Sequence, residues 1–208
     1  MPMRVLPLAL TAFQPAEPPS PPQPSTGAYR LPYADGTRVK VFDDTRTHRP
    51  RARIDLFAIG GPKPYRIVAA ASGRVMAIQD SYGERQTGRP ASECRNNFVW
   101  IAHPNGEWTG YSHMAKGSVT GMAKLKVGQK VRAGQLIGIE GDVGCAMLNH
   151  LHFEVAAPDP ANPVDAGGFL TGNGGGKRNR EPRFCEIEGA INKDEAHVAR
   201  RCAPALAG

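Results

Sequence analysis

From Tyr29 to Pro158 the chain is a succession of short apolar runs cut by glycine. Arg53-Ile-Asp-Leu-Phe-Ala-Ile59 alternates apolar and polar positions and stops at Gly60-Gly61. Tyr65 to Ile78 reads as two strands broken at Ser72-Gly73. Asn97-Phe-Val-Trp-Ile-Ala102 runs into His103-Pro-Asn-Gly106 and resumes at Glu107-Trp-Thr-Gly-Tyr-Ser-His113, which the Asn-Gly pair marks as a hairpin. Val127 to Ile139 and His150-Leu-His-Phe-Glu-Val155 continue the series. Short strands at close spacing with glycine turns predict an all-β fold, a compact antiparallel sandwich or barrel-like core. No apolar period of helical length precedes residue 185, and a short helix is predicted around Asp194–Arg201.

Glycine and proline divide the rest. Pro15-Ala-Glu-Pro-Pro-Ser-Pro-Pro, with Pro24 close behind, lacks backbone donors at five of its eight positions and reads as an extended linker. Ahead of it, Arg4 precedes a short apolar run to Phe13, the outline of an export signal interrupted by Pro7. Gly167-Gly168 and Gly172-Asn-Gly-Gly-Gly176 mark a joint after the core. The expected organisation is signal and linker over 1–28, a β-domain over 29–166, and a joint with a small C-terminal extension over 167–208. No segment approaches the roughly 20 apolar residues that cross a bilayer.

Four cysteines, Cys94, Cys145, Cys185 and Cys202, form an even set without a C-x-x-C pair. That argues against a thiolate metal site and is compatible with two disulfides in an oxidising compartment. Three connectivities satisfy the sequence, and buried thiols remain a further alternative. The pairing expected is Cys94–Cys145 and Cys185–Cys202, because the last two share the extension. The net charge of +7 favours anionic partners. It is not clustered with stacking aromatics on one element, so no nucleic-acid partner is expected.

The chemistry gathers around His150-Leu151-His152. On a strand, His150 and His152 point to one side, with Glu154 following them, while Leu151, Phe153 and Val155 face the core. Alone, a His-x-His also describes two solvent-facing histidines. Here His113 ends another predicted strand, Asp55 sits inside an apolar one, and His48 lies in the loop before it. Three histidines and a carboxylate suit zinc, which in catalytic sites keeps three protein ligands and an open position. His103 before Pro104 reads as structural and His197 as a surface residue. Trp100 is expected in the core, and Trp108 is a candidate for lining a groove.

The stretch from about Tyr29 to Ala157 resembles the lysostaphin-type zinc endopeptidases, peptidase family M23, of duplicated hybrid motif fold. The matching pieces are Ile54-Asp55-Leu56, Ile67-Val-Ala-Ala-Ala-Ser-Gly-Arg-Val75, Tyr111-Ser-His-Met114, Val127 to Gly138, and His150-Leu-His-Phe-Glu-Val155. The resemblance implies a secreted or periplasmic endopeptidase that holds one zinc ion and cleaves peptide bonds of bacterial peptidoglycan. It implies Asp55 and His152 as metal ligands and His113 and His150 as catalytic histidines. The family's His-x-x-x-Asp spacing falls on Arg51, which cannot ligate. Either His48 reaches the metal through a loop longer by three residues, or the domain is a non-catalytic wall-binding or hydrolase-activating module. A phosphotransferase-type carrier domain is a third reading, disfavoured by the cysteines and by Asp55. Met147-Leu-Asn149 also departs from the family's small residues, at the rim of the expected groove. Oligomeric state leaves no trace in the sequence.

Overall fold

The computed structural model describes residues 22–202, save 50, 91, 92, 160, 162, 163 and 166. The expected export signal and most of the Pro-rich linker lie outside the described residues. Within them, twelve strands carry the fold: β1 (Gln23–Tyr29), β2 (Arg38–Asp43), β3 (Ile54–Gly60), β4 (Arg66–Val68), β5 (Gly73–Gln79), β6 (Phe98–Ala102), β7 (Trp108–Ser112), β8 (Lys130–Val131), β9 (Leu136–Ile139), β10 (Leu151–Ala156), β11 (Asn179–Phe184) and β12 (Ala196–Val198). Among the described residues, helix is confined to single turns such as Ser118–Met122. No helix among the described residues is long and apolar enough to cross a membrane.

The main sheet runs β12-β2-β3-β10-β7-β6-β5-β8, and β4 pairs with β9 in a second, two-stranded sheet. The predicted hairpin is present as β6 and β7, turned at Asn105-Gly106 where Gly106 takes φ 83°. β10 sits in the middle, antiparallel to β3 on one side and to β7 on the other. Its alternation sends Leu151, Phe153 and Val155 into the main core with Ile54, Leu56 and Tyr111. His152 and Glu154 point the other way and are nevertheless buried, His152 at the wall of a cleft and Glu154 against Arg53 and Asn179. A smaller core joins Trp100 and Trp108, whose ring centroids stand 6.4 Å apart. Trp108 is therefore a core residue and not a groove residue.

Both disulfides connect as expected, Cys94–Cys145 and Cys185–Cys202. Three boundaries differ from the sequence expectation. The chain enters the sheet at Gln23, ahead of Tyr29, as an edge strand that tolerates Pro24 and runs parallel to β11. The C-terminal segment does not stand apart: β11 pairs with β10, and β12 pairs with β2. Where a helix was predicted around Asp194–Arg201, the structure has β12. Asp194 adopts φ 69°, outside the helical region, and the next residues pair along the free edge of β2.

Candidate metal centre and cleft

Three segments converge on one face of β10. Asp55 on β3 is the register partner of His152, so strand pairing alone puts both side chains on the same side. His152 Nδ1 donates to Asp55 Oδ1 at 2.9 Å. His48 Nε2 stands 3.5 Å from Asp55 Oδ2, and the His48 and His152 ring centroids are 4.9 Å apart. One donor atom from each of His48, Asp55 and His152 lies within 4.8 Å of the others.

His48 arrives by a built loop. Asp44 Oδ1 accepts from Arg46 N and Thr47 N at 2.9 Å each, and His48 N donates to Asp44 O at 2.9 Å. Lys193 N, beside β12, donates to Asp44 Oδ2 at 3.0 Å. These amide donors outweigh the effect of burial and hold the Asp44 carboxyl down at about 2. The loop closes where Ala52 N donates to Thr45 O at 2.8 Å, with Ala52 at φ 67°. Arg51, at the usual ligand spacing, does not line the cleft.

A tetrahedral zinc ion with bonds of about 2.0–2.1 Å sets its donors about 3.3 Å apart. The separations of 2.9 Å from His152 Nδ1 to Asp55 Oδ1 and of 3.5 Å from His48 Nε2 to Asp55 Oδ2 lie on either side of that edge, one to each carboxylate oxygen. The far side of His152 fits as well. Its Nε2 is buried without a hydrogen bond and lies 3.6 Å from Glu154 Oε1. Ligand histidines regularly turn their second nitrogen to a carboxylate in this way. Glu154 is itself fixed: Arg53 Nε donates to Oε2 at 3.3 Å, and so does Asn179 Nδ2 at 2.5 Å. Against the cost of burial, the Arg53 charge keeps Glu154 ionised, with its pKa at about 2. Sequence reasoning placed Glu154 on this face but missed Arg53 and Asn179. Asn179 lies in the C-terminal segment, with no motif to mark it.

Burial disfavours the charged form of His152, yet the carboxylates of Asp55 and Glu154 prevail and raise its pKa to about 9. Burial also opposes ionisation of Asp55, but hydrogen bonds from His152 and His48 bring its pKa well below the ordinary range. Without metal the two therefore form an ion pair.

His113 and His150 flank this group. Their ring centroids are 4.6 Å apart, and His113 is 6.0 Å from His152. His113 Nδ1 lies 2.8 Å from Val143 O, and His150 Nδ1 lies 2.8 Å from Leu148 O. A carbonyl can only accept, so each neutral ring carries its proton on Nδ1 and leaves Nε2 with a lone pair. Burial is the main cause that lowers both pKa values, His113 to about 3, so both rings are neutral at physiological pH. His113 directly follows β7 and sits at φ 64°, a conformation that turns the chain off the sheet. A Cβ on Gly141 would stand 2.7 Å from His113 O, so the backbone approach here requires glycine.

The five residues open into a cleft of about 580 Å³ whose walls include Phe42, Arg89, Met147 and Phe169. Met147 is 79% exposed, and the Cys94–Cys145 disulfide forms part of the rim. His103 lies elsewhere, its nitrogens 2.9 Å from Ser72 O and 2.8 Å from Thr109 Oγ1, a structural role. His197 lies beside Glu195 at 3.3 Å, away from the cleft.

The model of peptidase family M23 matches residues 53–166. Among curated proteins, the peptidoglycan DD-endopeptidase ShyA of Vibrio cholerae serotype O1 is 39% identical over 71 residues, 34% of this chain and 15% of that protein. The chain thus spans a small part of that relative's length. Among solved structures, pseudoalterin, an M23 metalloprotease from the deep sea, aligns at 17% identity and TM-score 0.46, covering 71% of this chain and 75% of that one. Lysostaphin from Staphylococcus simulans aligns at 22% identity and TM-score 0.40, covering 58% and 43%.

Proposed function

Because the chain belongs to peptidase family M23, we propose that it is a zinc-dependent endopeptidase that cleaves peptide bonds of bacterial peptidoglycan outside the cytoplasm. The observation that carries this reading is the donor set of His48, Asp55 and His152 beside two histidines of fixed tautomer. The relative over residues of this chain that is named for peptidoglycan supports the substrate, and the two disulfides support an oxidising compartment.

In this reading His48, Asp55 and His152 hold the metal, and Glu154 orients His152 from behind. A zinc ion at that position supplies Lewis acidity, for polarising a scissile carbonyl and acidifying water. The chain's own residues do the rest. The unprotonated Nε2 of one of His113 and His150 accepts a proton from the attacking water, and the other ring steadies the charge that develops on the carbonyl oxygen; His150 Nε2 lies 3.6 Å from Asp55 Oδ1, beside the metal position. Both rings are uncharged at neutral pH and held by backbone carbonyls, so neither must reorganise before reaction. The cleft volume admits a short extended peptide, and its buried floor limits access of bulk water.

The test combines metal content with digestion of purified sacculi. One zinc per chain in the wild type, its loss in His48→Ala, and release of peptide fragments by the zinc-loaded wild type are expected. Absence of stoichiometric zinc after incubation with excess metal would transfer the reading to a non-catalytic wall-binding module.

A further inference from the structure

Away from the metal cleft, two cavities meet at Arg132. The first, about 510 Å³, is walled by Arg30, Arg66, Arg132 and Arg201, with Asp35 as the one carboxylate among its described lining. The second, about 850 Å³, shares Arg132 and adds Arg74 and Lys130, with no carboxylate among its described lining. Neither has a residue in common with the metal cleft.

Asp35 is already engaged, by Arg30 Nη2 at 2.6 Å and by Arg201 Nε at 3.3 Å. Among the described residues, Arg66, Arg74, Lys130 and Arg132 have no ion pair. Two of these cations are forced together: Arg74 on β5 and Lys130 on β8 are register partners. Like charges directly opposite on paired strands repel, a cost that an anion between them would remove. The floor of the first cavity is built. Arg30 is 3% exposed, and its Nη2 donates to Tyr33 O at 2.8 Å. Its Nη1 makes no hydrogen bond to a described residue and lies where a Cβ on Gly134 would come within 2.8 Å. With Nε given to Leu31 O and Nη2 to Tyr33 O and Asp35, Nη1 is left as a single buried donor for an oxyanion beside Gly134, which lines the same cavity.

We propose that this groove binds a linear polyanion that repeats phosphate or carboxylate groups and carries no aromatic bases, the chemistry of an acidic glycopolymer. Two cationic cavities on either side of Arg132 suit a chain that spans both better than a single ion. No Phe, Tyr or Trp is among the described lining of either one, and His103, the one aromatic ring there, is held by Ser72 O and Thr109 Oγ1, so the groove offers charge in place of stacking platforms. Binding there would hold the chain on an anionic matrix while the separate cleft works on it. That benefit rests on the wall-peptidase reading, whereas the binding itself does not.

The experiment measures binding of the full chain to polyphosphate, polygalacturonate and oligothymidine of matched charge, with metal removed and restored. Binding of either oxyanion polymer is expected in both metal states, weakening as salt rises. The source is then named by which polymer binds. In Arg66→Ala/Arg132→Ala, affinity is expected to fall about tenfold or more, since two of the groove's cations are gone. Cleavage of a small soluble peptide by that variant is expected to match wild type. Three results would overturn the proposal: no binding of either polymer, equal binding by the variant, or tighter binding of oligothymidine, which would assign the groove to nucleic acid. Polymer binding with no zinc and no cleavage would instead sink the peptidase reading and leave the groove standing.

Discussion

Asp55 and His152 face each other across adjacent strands, with the imidazole Nδ1 2.9 Å from the carboxylate Oδ1. A hydrogen bond of that length between two donor atoms of a candidate metal site is what a metal ion would replace. Asp55→Asn keeps the shape and removes the charge. It is expected to lower zinc affinity by about 100-fold or more, beyond the range typical of outer partners. Retention of one zinc per chain by the variant after dialysis against a mild chelator would exclude Asp55 as a ligand.

The same pair sets a pH dependence. Without metal, His152 is protonated up to a pKa of about 9, raised by Asp55 and Glu154 against the opposing effect of burial. Metal must displace that proton, so uptake releases acid and weakens as pH falls below about 9. Exchange of one proton predicts about a tenfold loss of apparent affinity for each pH unit across that range. Competition with a chromophoric chelator at pH 6, 7 and 8 measures the slope, and a flat profile would contradict the assigned pairing. The sign for stability is opposite. In the metal-free chain the raised pKa contributes stability fully below the ordinary value of 6.5, and this is lost as pH rises through about 9.

Glu154 gives a prediction that separates metal orientation from simple packing. Glu154→Gln removes the charge behind His152 and leaves Arg53, its partner at 3.3 Å, buried without a counter-ion. Unpaired buried charge costs about 3–5 kcal/mol, so a lower melting temperature is expected whatever the role of the metal. Zinc affinity is the discriminating readout, with a fall of about 10–100-fold expected in the folded variant. Destabilisation with unchanged affinity would confine Glu154 to a structural role.

Much of this site follows from strand periodicity. His150 and His152 share a side because side chains alternate, and the β6–β7 hairpin that delivers His113 is announced by Asn105-Gly106. Register is a different matter. Nothing local says that His152 pairs with Asp55 and not with a neighbour two residues away, because register depends on which strands meet. The approach of His48 was equally hidden. It requires Ala52 at φ 67°, a conformation its side chain does not signal, and an Asp44 turn pinned by Lys193 N from far along the chain. The strand at Ala196–Val198 shows the same limit, since pairing with β2 overrides a weak helical propensity. In each case the missing information was tertiary.

The rim of the cleft carries the last prediction. Val143 O and Leu148 O, which fix the tautomers of His113 and His150, lie on one loop, and Cys145 between them ties that loop to Cys94. Hydrogen bonds hold the same loop as well, from Gln86 N to Gly144 O at 2.7 Å, from Gly144 N to Glu84 O at 2.9 Å and from Cys145 N to Asn96 Oδ1 at 3.3 Å, each weaker than the covalent bond. Loss of the disulfide in Cys94→Ser/Cys145→Ser removes the covalent tether of the loop without touching the donor set of His48, Asp55 and His152. Zinc content should therefore stay at the wild-type value. The turnover number should fall by about 10–100-fold, the scale of a displacement near 1 Å at reacting groups. Reduction of the wild type under native conditions should reproduce the loss, and reoxidation should restore it. A variant that loses zinc together with activity would show instead that the disulfide supports the whole face of β10. Full activity in the variant would show that the loop's hydrogen bonds keep the two carbonyls in place without the disulfide.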